Sequence, residues 1–270
     1  MAFEFQNDTQ KYFDWQHQNA VKSIVPFINN SVALGNGCRV LEVGCNYGGV
    51  LKAFTKLGCY VVGVDIYPGQ IDVARKYMSK EINAGKASFI ASDIFKVNPK
   101  KEFTHGFDLI ILKDVIEHIS NKGKLLQHLH SFLRKDGKIF LGFPPWQMPF
   151  GGHQQMCRNF ILSHLPFYHL LPKWIYRMIA QFGGENTEIV QRLMADKNTG
   201  ISIEQFDKIL KNTTFLTIKK KFYLINPIYE YKFGFQTREL WAPLSKIPIF
   251  RNFLTTSIYY LIEPFSVFYK

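Results

Sequence analysis

Two kinds of hydrophobic pattern alternate along the first half of the chain. Short runs rich in β-branched and aromatic residues are typical of buried strands, and they occupy residues 40–43, 60–64, 87–91, 107–112 and 138–143. Apolar residues recur at helical spacing between these runs, and residues 69–80 and 121–134 are predicted to form crossover helices. Strands that alternate with helices favour an α/β fold with a doubly wound, mostly parallel sheet.

The turn after the first run is the most informative segment. It contains Gly44, Gly48 and Gly49, and a helical pattern follows it. It is preceded by the carboxylate of Glu42. A strand, a glycine turn and a helix form the Rossmann-like arrangement that presents backbone amides to a ligand. Asp65 ends the second run, 21 residues beyond Gly44, where an acidic side chain can accept hydrogen bonds from ribose hydroxyls, so the pattern predicts a nucleoside cofactor.

The glycine spacing argues against a dinucleotide. In the dinucleotide-binding pattern the middle glycine lets the backbone approach a pyrophosphate, whereas here Asn46 occupies that position. Glu42 would repel a pyrophosphate but suits a cofactor with a cationic amino-acid end. A nicotinamide-dependent oxidoreductase stays open as an alternative, and binding of NAD would support it.

Residues 42–48 resemble the first motif of class I S-adenosylmethionine-dependent methyltransferases, which reads acidic-x-Gly-x-Gly-x-Gly. The segment here is Glu-Val-Gly-Cys-Asn-Tyr-Gly, so Asn46 replaces the middle glycine. Asparagine tolerates positive φ better than most residues with a side chain, and we therefore expect the turn to be kept. The resemblance continues in order through residues 38–145, and it implies a methyltransferase with S-adenosyl-L-methionine as cofactor.

The resemblance also implies a fold and a set of cofactor contacts. The expected fold is a Rossmann-like, seven-stranded, doubly wound and mostly parallel sheet with an antiparallel edge hairpin, a helical lid insertion and a C-terminal amphipathic segment. Asp65 is expected to bind the ribose, and the segment 92–94 is expected to contact the adenine. The implied cofactor-binding residues are Glu42, Gly44, Cys45, Asn46, Gly48, Asp65, Ile66, Ser92, Asp93, Ile94, Lys113 and Asp114. Cys45 is expected to pack as a small apolar residue.

Changes in the spacing of apolar and aromatic residues divide the chain into four regions. We predict an N-terminal helical cover (1–36), the cofactor-binding core (37–145), a lid that shapes the acceptor site (146–200), and a region with a sheet-completing hairpin and a C-terminal helix (201–270). Within the last region, the strand-like runs 214–218, 222–225 and 229–233 are the predicted hairpin. Ser202 and Gln205 have the spacing of a capping box and predict a helix that begins there.

Two histidines are candidates for the base that an oxygen acceptor would need. His118 follows the fourth run, at the edge of the sheet where the ligand crevice lies, and the pKa of an unperturbed histidine lies near neutrality. It is an equally open interpretation that His118 only orients a neighbour or contacts the cofactor. His153 lies in the lid between glycines and glutamines and is the second candidate.

A metal site is the alternative use of the same segment. Asp114, Glu117 and His118 fall on one face of a helical turn, and two carboxylates with an imidazole can hold a divalent cation. The segment is similar to the acidic-x-x-Glu-His stretch of ubiquinone-biosynthesis O-methyltransferases, where a metal is implicated. Asp114 is shorter than the glutamate of that group, so we predict no metal, and a chelator tests this.

Composition bounds the remaining function classes. The net charge is +12, but the basic residues are scattered, which disfavours a nucleic acid partner and leaves peripheral membrane contact through the amphipathic tail open. Four cysteines without metal-ligand spacing, no signal-peptide pattern and no long apolar span predict a cytoplasmic protein. The aromatic residues of the lid favour a small, apolar or aromatic acceptor. A catalytically silent cofactor-binding scaffold is the other alternative, and the oligomeric state is not predicted.

Overall fold

The computed structural model describes residues 8–265, which form one mixed sheet with helices on both faces. Its strands are β1 (Arg39–Val43), β2 (Tyr60–Asp65), β3 (Ala87–Ala91), β4 (Phe107–Lys113), β5 (Leu133–Phe143), β6 (Phe215–Ile225), β7 (Arg238–Glu239) and β8 (Ser257–Pro264). In space they follow the order β3-β2-β1-β4-β5-β8-β6-β7. The first five strands are parallel to one another, and β6, β7 and β8 pair antiparallel.

The helices pack on the two faces of this sheet and at its carboxyl edge. They are α1 (Thr9–Asn19), α2 (Val25–Ile28), α3 (Gly49–Lys56), α4 (Pro68–Tyr77), α5 (Ser79–Asn83), α6 (Pro99–Glu102), α7 (Lys122–His130), α8 (Phe160–His164), α9 (Lys173–Phe182), α10 (Thr187–Thr199), α11 (Ile203–Lys211), α12 (Tyr229–Phe233), α13 (Ala242–Ser245) and α14 (Phe250–Leu254). A π-helical turn, Ala20–Ile24, joins α1 to α2. No helix among residues 8–265 has the length and apolar character needed to cross a bilayer.

Alternate residues of the central strands enter two separate cores. Val40 and Val61 pack on one side of the sheet, whereas Leu41 and Val62 pack on the other. All four are fully buried, because helices cover both faces. A third cluster lies away from the sheet and joins α8, α9 and α10. The lid therefore has a small core of its own.

The fold class expected from the sequence is confirmed, with eight strands rather than seven. The predicted strands of the first half are present, and helices α4 and α7 match the predicted crossovers. The capping box is also confirmed, since Ser202 accepts from the backbone N–H of Gln205 while the Gln205 side chain accepts from the backbone of Ser202.

Two details of the C-terminal region are wrong. The expected C-terminal helix is strand β8, which lies inside the sheet between β5 and β6. Its first six residues are all buried, so their continuous apolar pattern reflects a strand that is covered on both faces. The segment Tyr229–Phe233 is helix α12 instead of a hairpin strand. The partners of β6 are therefore β8 and the short β7, which follows α12 in the chain.

Candidate active site

A cavity of about 100 Å³ lies at the carboxyl ends of β1 and β4 and beneath α1. Six of the residues predicted to bind the cofactor line it: Glu42, Gly44, Cys45, Asn46, Lys113 and Asp114. The other lining residues are Tyr12, Phe13, Gln16, Tyr47, Gly49 and Val50. This is the position at which open α/β sheets bind ligands.

The glycine turn has the backbone conformation that the sequence predicted. Asn46 has a positive φ of 49° and Gly44 one of 70°, a region that asparagine and glycine enter more easily than other residues. A Cβ on Gly44 would lie 2.4 Å from Cγ2 of Val115. The turn therefore passes close to the segment after β4, and Gly48 ends it as the N-cap of α3.

Glu42 places a carboxylate in this cavity with one oxygen that accepts no hydrogen bond from residues 8–265. It is buried, and its Oε2 atom has no hydrogen-bond partner among the described residues. Burial raises the pKa of Glu42 well above its ordinary value, and the nearby charge of Asp65 adds to that rise. A buried acceptor without a partner is costly. A cationic ligand group in the cavity would remove this cost.

Asp65 is fixed at the end of β2 by two backbone donors. Its Oδ2 accepts from the N–H of Asn46 at 2.9 Å, and its Oδ1 accepts from the N–H of Tyr67 at 3.0 Å. The side-chain amide nitrogen of Gln70, in the orientation that satisfies its hydrogen bonds, also lies 3.3 Å from both oxygens. The carboxylate is thus held rigidly beside the turn, and Ile66 next to it is exposed.

The segment 92–94 lies outside the cavity lining. The backbone N–H of Ser92 donates to the carbonyl of Asp65 at 2.9 Å. Asp93 caps a short 3-10 turn by accepting from the N–H of Phe95 at 3.0 Å, and Ile94 is buried in the core. Through these contacts all three residues stabilise the segment next to Asp65. Their predicted contact with adenine stays a prediction.

Lys113 and Asp114 form an ion pair at the end of β4. Asp114 has a positive φ of 56°, which is uncommon for a residue with a side chain and is often found at functional sites. Burial raises the pKa of Tyr12 to about 12, and Asp114 contributes to that rise. Asp114 also opposes the burial that lowers the pKa of His153. The charge of Asp114 therefore affects the pKa of one residue on α1 and of one residue in the lid.

A second, smaller cavity of about 10 Å³ is lined by both candidate histidines. Its lining consists of Glu117, His118, Pro144, Trp146, Gly151, His153, Asp196 and Gly200. The ring centroids of His118 and His153 are 4.9 Å apart. Although the two histidines are 35 positions apart in sequence, the lid brings them together at one edge of the sheet.

Asp196 of α10 forms an ion pair with His118. Its Oδ1 lies 3.0 Å from Nδ1 of His118. Burial lowers the pKa of His118, but the hydrogen bond to Asp196 and the charge of Glu117 outweigh burial and raise it above the ordinary value. The pKa of His153 is lowered, first by burial and then by the neighbouring charge of His118. Close to neutrality, His118 thus holds a proton more readily than His153.

The metal-ligand set that the structure brings together differs from the one considered in the sequence. Ligand atoms of Glu117, His118 and His153 lie within 4.8 Å of one another, whereas Asp114 is paired with Lys113. Both carboxylate oxygens of Glu117 lack hydrogen-bond partners among the described residues. Burial raises the pKa of Glu117 to about 7, so this carboxyl group can stay protonated near neutrality without a cation.

Several residues of the two cavities were not identified from the sequence. Tyr12 and Gln16 are one helical turn apart, and Nε2 of Gln16 donates to the Tyr12 hydroxyl at 2.7 Å. That spacing was a usable signal for a shared face of α1. Asp196 gave no signal, because it is 78 residues from His118 and lies on a helix of ordinary composition.

A comparison with protein families identifies the family of the chain. A family described as "Methyltransferase domain" matches residues 10–177, which is more than half of the chain. The chain belongs to this family. It is a class I methyltransferase, and its cofactor is S-adenosylmethionine.

Curated relatives of this methyltransferase match part of its length. A ubiquinone biosynthesis O-methyltransferase from Glaesserella parasuis serovar 5 is 27% identical over 135 residues, which cover 47% of this chain and 57% of the relative. One from Actinobacillus pleuropneumoniae serotype 7 is 29% identical over 104 residues, which cover 38% of this chain and 44% of the relative. The chain spans about half the length of the curated relatives it matches.

A solved structure supports the fold of the methyltransferase over nearly its whole length. An S-adenosylmethionine-dependent methyltransferase from Clostridium acetobutylicum aligns with a TM-score of 0.56 at 12% identity and covers 93% of this chain and 92% of that one. At this level of identity, the likeness concerns the fold.

Proposed function

We propose that this methyltransferase transfers the methyl group of S-adenosylmethionine to a small acceptor that is apolar or aromatic. The observation that carries the proposal is the buried, unpartnered carboxylate oxygen of Glu42 in the cavity at the end of β1. The cofactor supplies a methyl group on a positively charged sulfur. The protein must align it with the acceptor and exclude water.

The proposed cofactor contacts use the two carboxylates at the ends of β1 and β2. Glu42 would accept from the ammonium group of the amino-acid end, which satisfies its free oxygen. Asp65 would keep its bonds from the two backbone N–H groups and would accept from the ribose hydroxyls in place of the side-chain amide of Gln70, which lies 3.3 Å from both of its oxygens. Both residues are buried, so their interactions with a ligand are weakly screened by solvent.

The acceptor would lie next to Asp114, between the α1 side of the first cavity and His118 in the second, because the charge of Asp114 acts on residues of both cavities. Tyr12 and Phe13 line the α1 side, and Tyr12 packs edge-on against Tyr47 with 6.0 Å between the ring centroids. Aromatic walls suit an apolar or aromatic molecule. The ion pair between Lys113 and Asp114 also lines the cavity and provides a polar group beside the aromatic side chains.

His118 is the base that we propose for an acceptor hydroxyl. Because Nδ1 of His118 is engaged by Asp196, the other ring nitrogen is available to take the hydroxyl proton while the acceptor oxygen bonds to the methyl carbon and the carbon–sulfur bond breaks. His153 lies beside the ring of His118 and is the second candidate. Four free, buried cysteines among the described residues support the cytoplasmic location that we propose.

Calorimetry with S-adenosylhomocysteine and with NAD, side by side, tests the cofactor. We expect binding of the first and none of the second, and the reverse result would mean a nicotinamide enzyme. A radiolabelled methyl-transfer assay with a panel of phenols, apolar carboxylic acids and amines then tests the acceptor class. Binding of S-adenosylhomocysteine without transfer to any member of the panel would favour the scaffold alternative.

A further inference from the structure

The lid carries a group of large apolar side chains on its outer surface. Phe160 is 74% exposed, Trp174 is 68% exposed and Phe182 is 86% exposed. Ile161, which follows Phe160, and Met178, which lies between Trp174 and Phe182 in sequence, are also exposed. We call these five residues the lid face. Scattered single apolar residues on a surface are normal, but a group of this size marks an interaction site.

The lid face is one continuous surface. Trp174, Met178 and Phe182 follow one another at four-residue spacing along α9 and therefore share one side of that helix. Nδ2 of Asn159 donates to the carbonyl of Gly183 at 2.9 Å. This bond holds the start of α8, which carries Phe160, against the end of α9.

Helix α9 is apolar on two sides. Tyr176 and Ala180 are buried in the lid core together with Leu193 of α10. The residues on the outer side of α9 do not belong to this core. A helix that is apolar on the side away from its own core needs a second apolar environment. The lid face is therefore available for a partner and does not stabilise the lid itself.

The charges around the lid face indicate what kind of partner it meets. Arg158, Lys173 and Arg177 are exposed on the same two helices or directly before them, and among residues 8–265 none of them forms an ion pair. Residues 137–184 contain no aspartate or glutamate. An apolar surface with uncompensated cations at its border matches a bilayer with anionic headgroups.

A second copy of the chain is a poor fit for this surface. A two-fold contact would place the same patch of both copies face to face. Arg158, Lys173 and Arg177 of the two copies would then lie close together in a surface of lowered dielectric, which is unfavourable. Anionic lipid, by contrast, pairs with these cations and accepts the aromatic side chains at the interfacial depth that tryptophan prefers.

We infer that the lid face docks the protein on the surface of an anionic phospholipid bilayer, with Trp174 and Phe182 inserted at the level of the headgroups. This site replaces the C-terminal tail as the membrane-contacting element, since residues 257–262 are buried in the sheet as part of β8. The inference does not depend on the acceptor or on the proposed base.

Co-sedimentation of the full chain with vesicles tests the inference. We expect binding to vesicles of equal parts phosphatidylglycerol and phosphatidylcholine, at least about tenfold weaker binding to phosphatidylcholine alone, and weakening by 0.5 M salt. The double variant Trp174→Glu with Phe182→Glu should lose at least about tenfold in binding. The double variant Val21→Glu with Leu57→Glu makes the same change in charge at two exposed residues away from the lid and should bind like the unmodified chain.

Three outcomes would overturn the inference. One is absence of binding to the anionic vesicles. Another is an equal loss in the double control variant and in the lid variant, which would mean that net charge alone decides binding. The third is a concentration-dependent dimer that the lid variant abolishes, seen by light scattering, since the occupant would then be a second copy. Calorimetry with S-adenosylhomocysteine on every variant verifies that the core is folded.

Discussion

The backbone N–H of Asn46 donates to Oδ2 of Asp65 at 2.9 Å, which ties the end of β2 to the turn that follows β1. The residue that replaces the middle glycine of the motif is thus held by the acid that we propose for the ribose. One carboxylate fixes the turn and, by our proposal, also binds the ligand that lies in it. Changing it should affect affinity more than folding.

Asp65→Asn should weaken binding of S-adenosylhomocysteine about 10- to 100-fold, because hydrogen bonds to a charged group contribute about 1.5–3 kcal/mol each. Calorimetry measures this change. The control is Asp72→Asn, which alters an exposed carboxylate that pairs with Arg75 on the surface of α4 and should leave affinity unchanged. Unaltered affinity in Asp65→Asn would contradict the ribose contact.

Glu42 should make cofactor binding dependent on pH. Burial raises the pKa of this carboxyl group well above its ordinary value, whereas an ammonium group in the cavity requires the ionised form and lowers that pKa. Binding must then release protons, so affinity should fall as pH decreases from 8 to 5.5. Calorimetry in that range, repeated in buffers of different ionisation enthalpy, measures both effects.

Glu42→Gln should bind S-adenosylhomocysteine more weakly at pH 8 and lose most of the pH dependence. Glu188→Gln is a suitable control, since Glu188 is an exposed residue of α10 that pairs with Arg192. If Glu42→Gln keeps the pH profile of the unmodified protein, another group titrates on binding and the proposed contact with the ammonium group is wrong.

Asp196→Asn should shift the pH profile of methyl transfer. The hydrogen bond from His118 raises the pKa of that imidazole, so its loss lowers the pKa and moves the acidic limb of the kcat profile to lower pH. We also expect kcat to fall about tenfold with little change in KM, because the ring of His118 loses its orientation. The measurement requires an acceptor found with the panel above.

Glu188→Gln on the same helix should show no change in this profile. A uniform loss of kcat at every pH, with the acidic limb in place, would mean that Asp196 only connects the lid to the sheet. His118→Gln should abolish the limb, and a retained limb would point to His153 instead.

Gly49→Ala should destabilise the protein by about 1–3 kcal/mol, because a Cβ there would lie 2.4 Å from the carbonyl oxygen of Phe13 and would push α1 away from α3. Gly69→Ala is the matched control. No atom lies within 4 Å of a Cβ at that position of α4, so the free energy of unfolding should be unchanged or rise by up to about 1 kcal/mol. Urea denaturation measures both, and equal stability of the two variants would contradict the close contact of α1.

Local sequence was sufficient for the cofactor half of the molecule. Strand, turn and helix are adjacent in the chain there, so the order of Glu42, the glycines and Asp65 was enough to predict where they meet. Asn46 adopts the positive φ that its residue type allows. These features depend on interactions between residues that are close in sequence, and the order and spacing of residue types can therefore predict them.

The C-terminal region could not be decided from its own pattern. The apolar residues 258–262 suit a buried strand or a buried helix equally well, and only the open edge of β5 made this segment strand β8. The segment Tyr229–Phe233 has strand-like residues but forms α12 over α1. Long-range packing overrides a weak local preference in both cases.

The sequence by itself therefore determined the sheet of the first half, the glycine turn and the two carboxylates that point to the cofactor. Tertiary structure alone decided that His118, His153 and Asp196 share one cavity and that the outer side of α9 faces solvent. The physical reason is distance along the chain. Contacts between side chains more than thirty residues apart produce no periodic pattern in the sequence. For a helix with two apolar sides, the sequence does not indicate which side is buried, because that depends on the elements that pack against it.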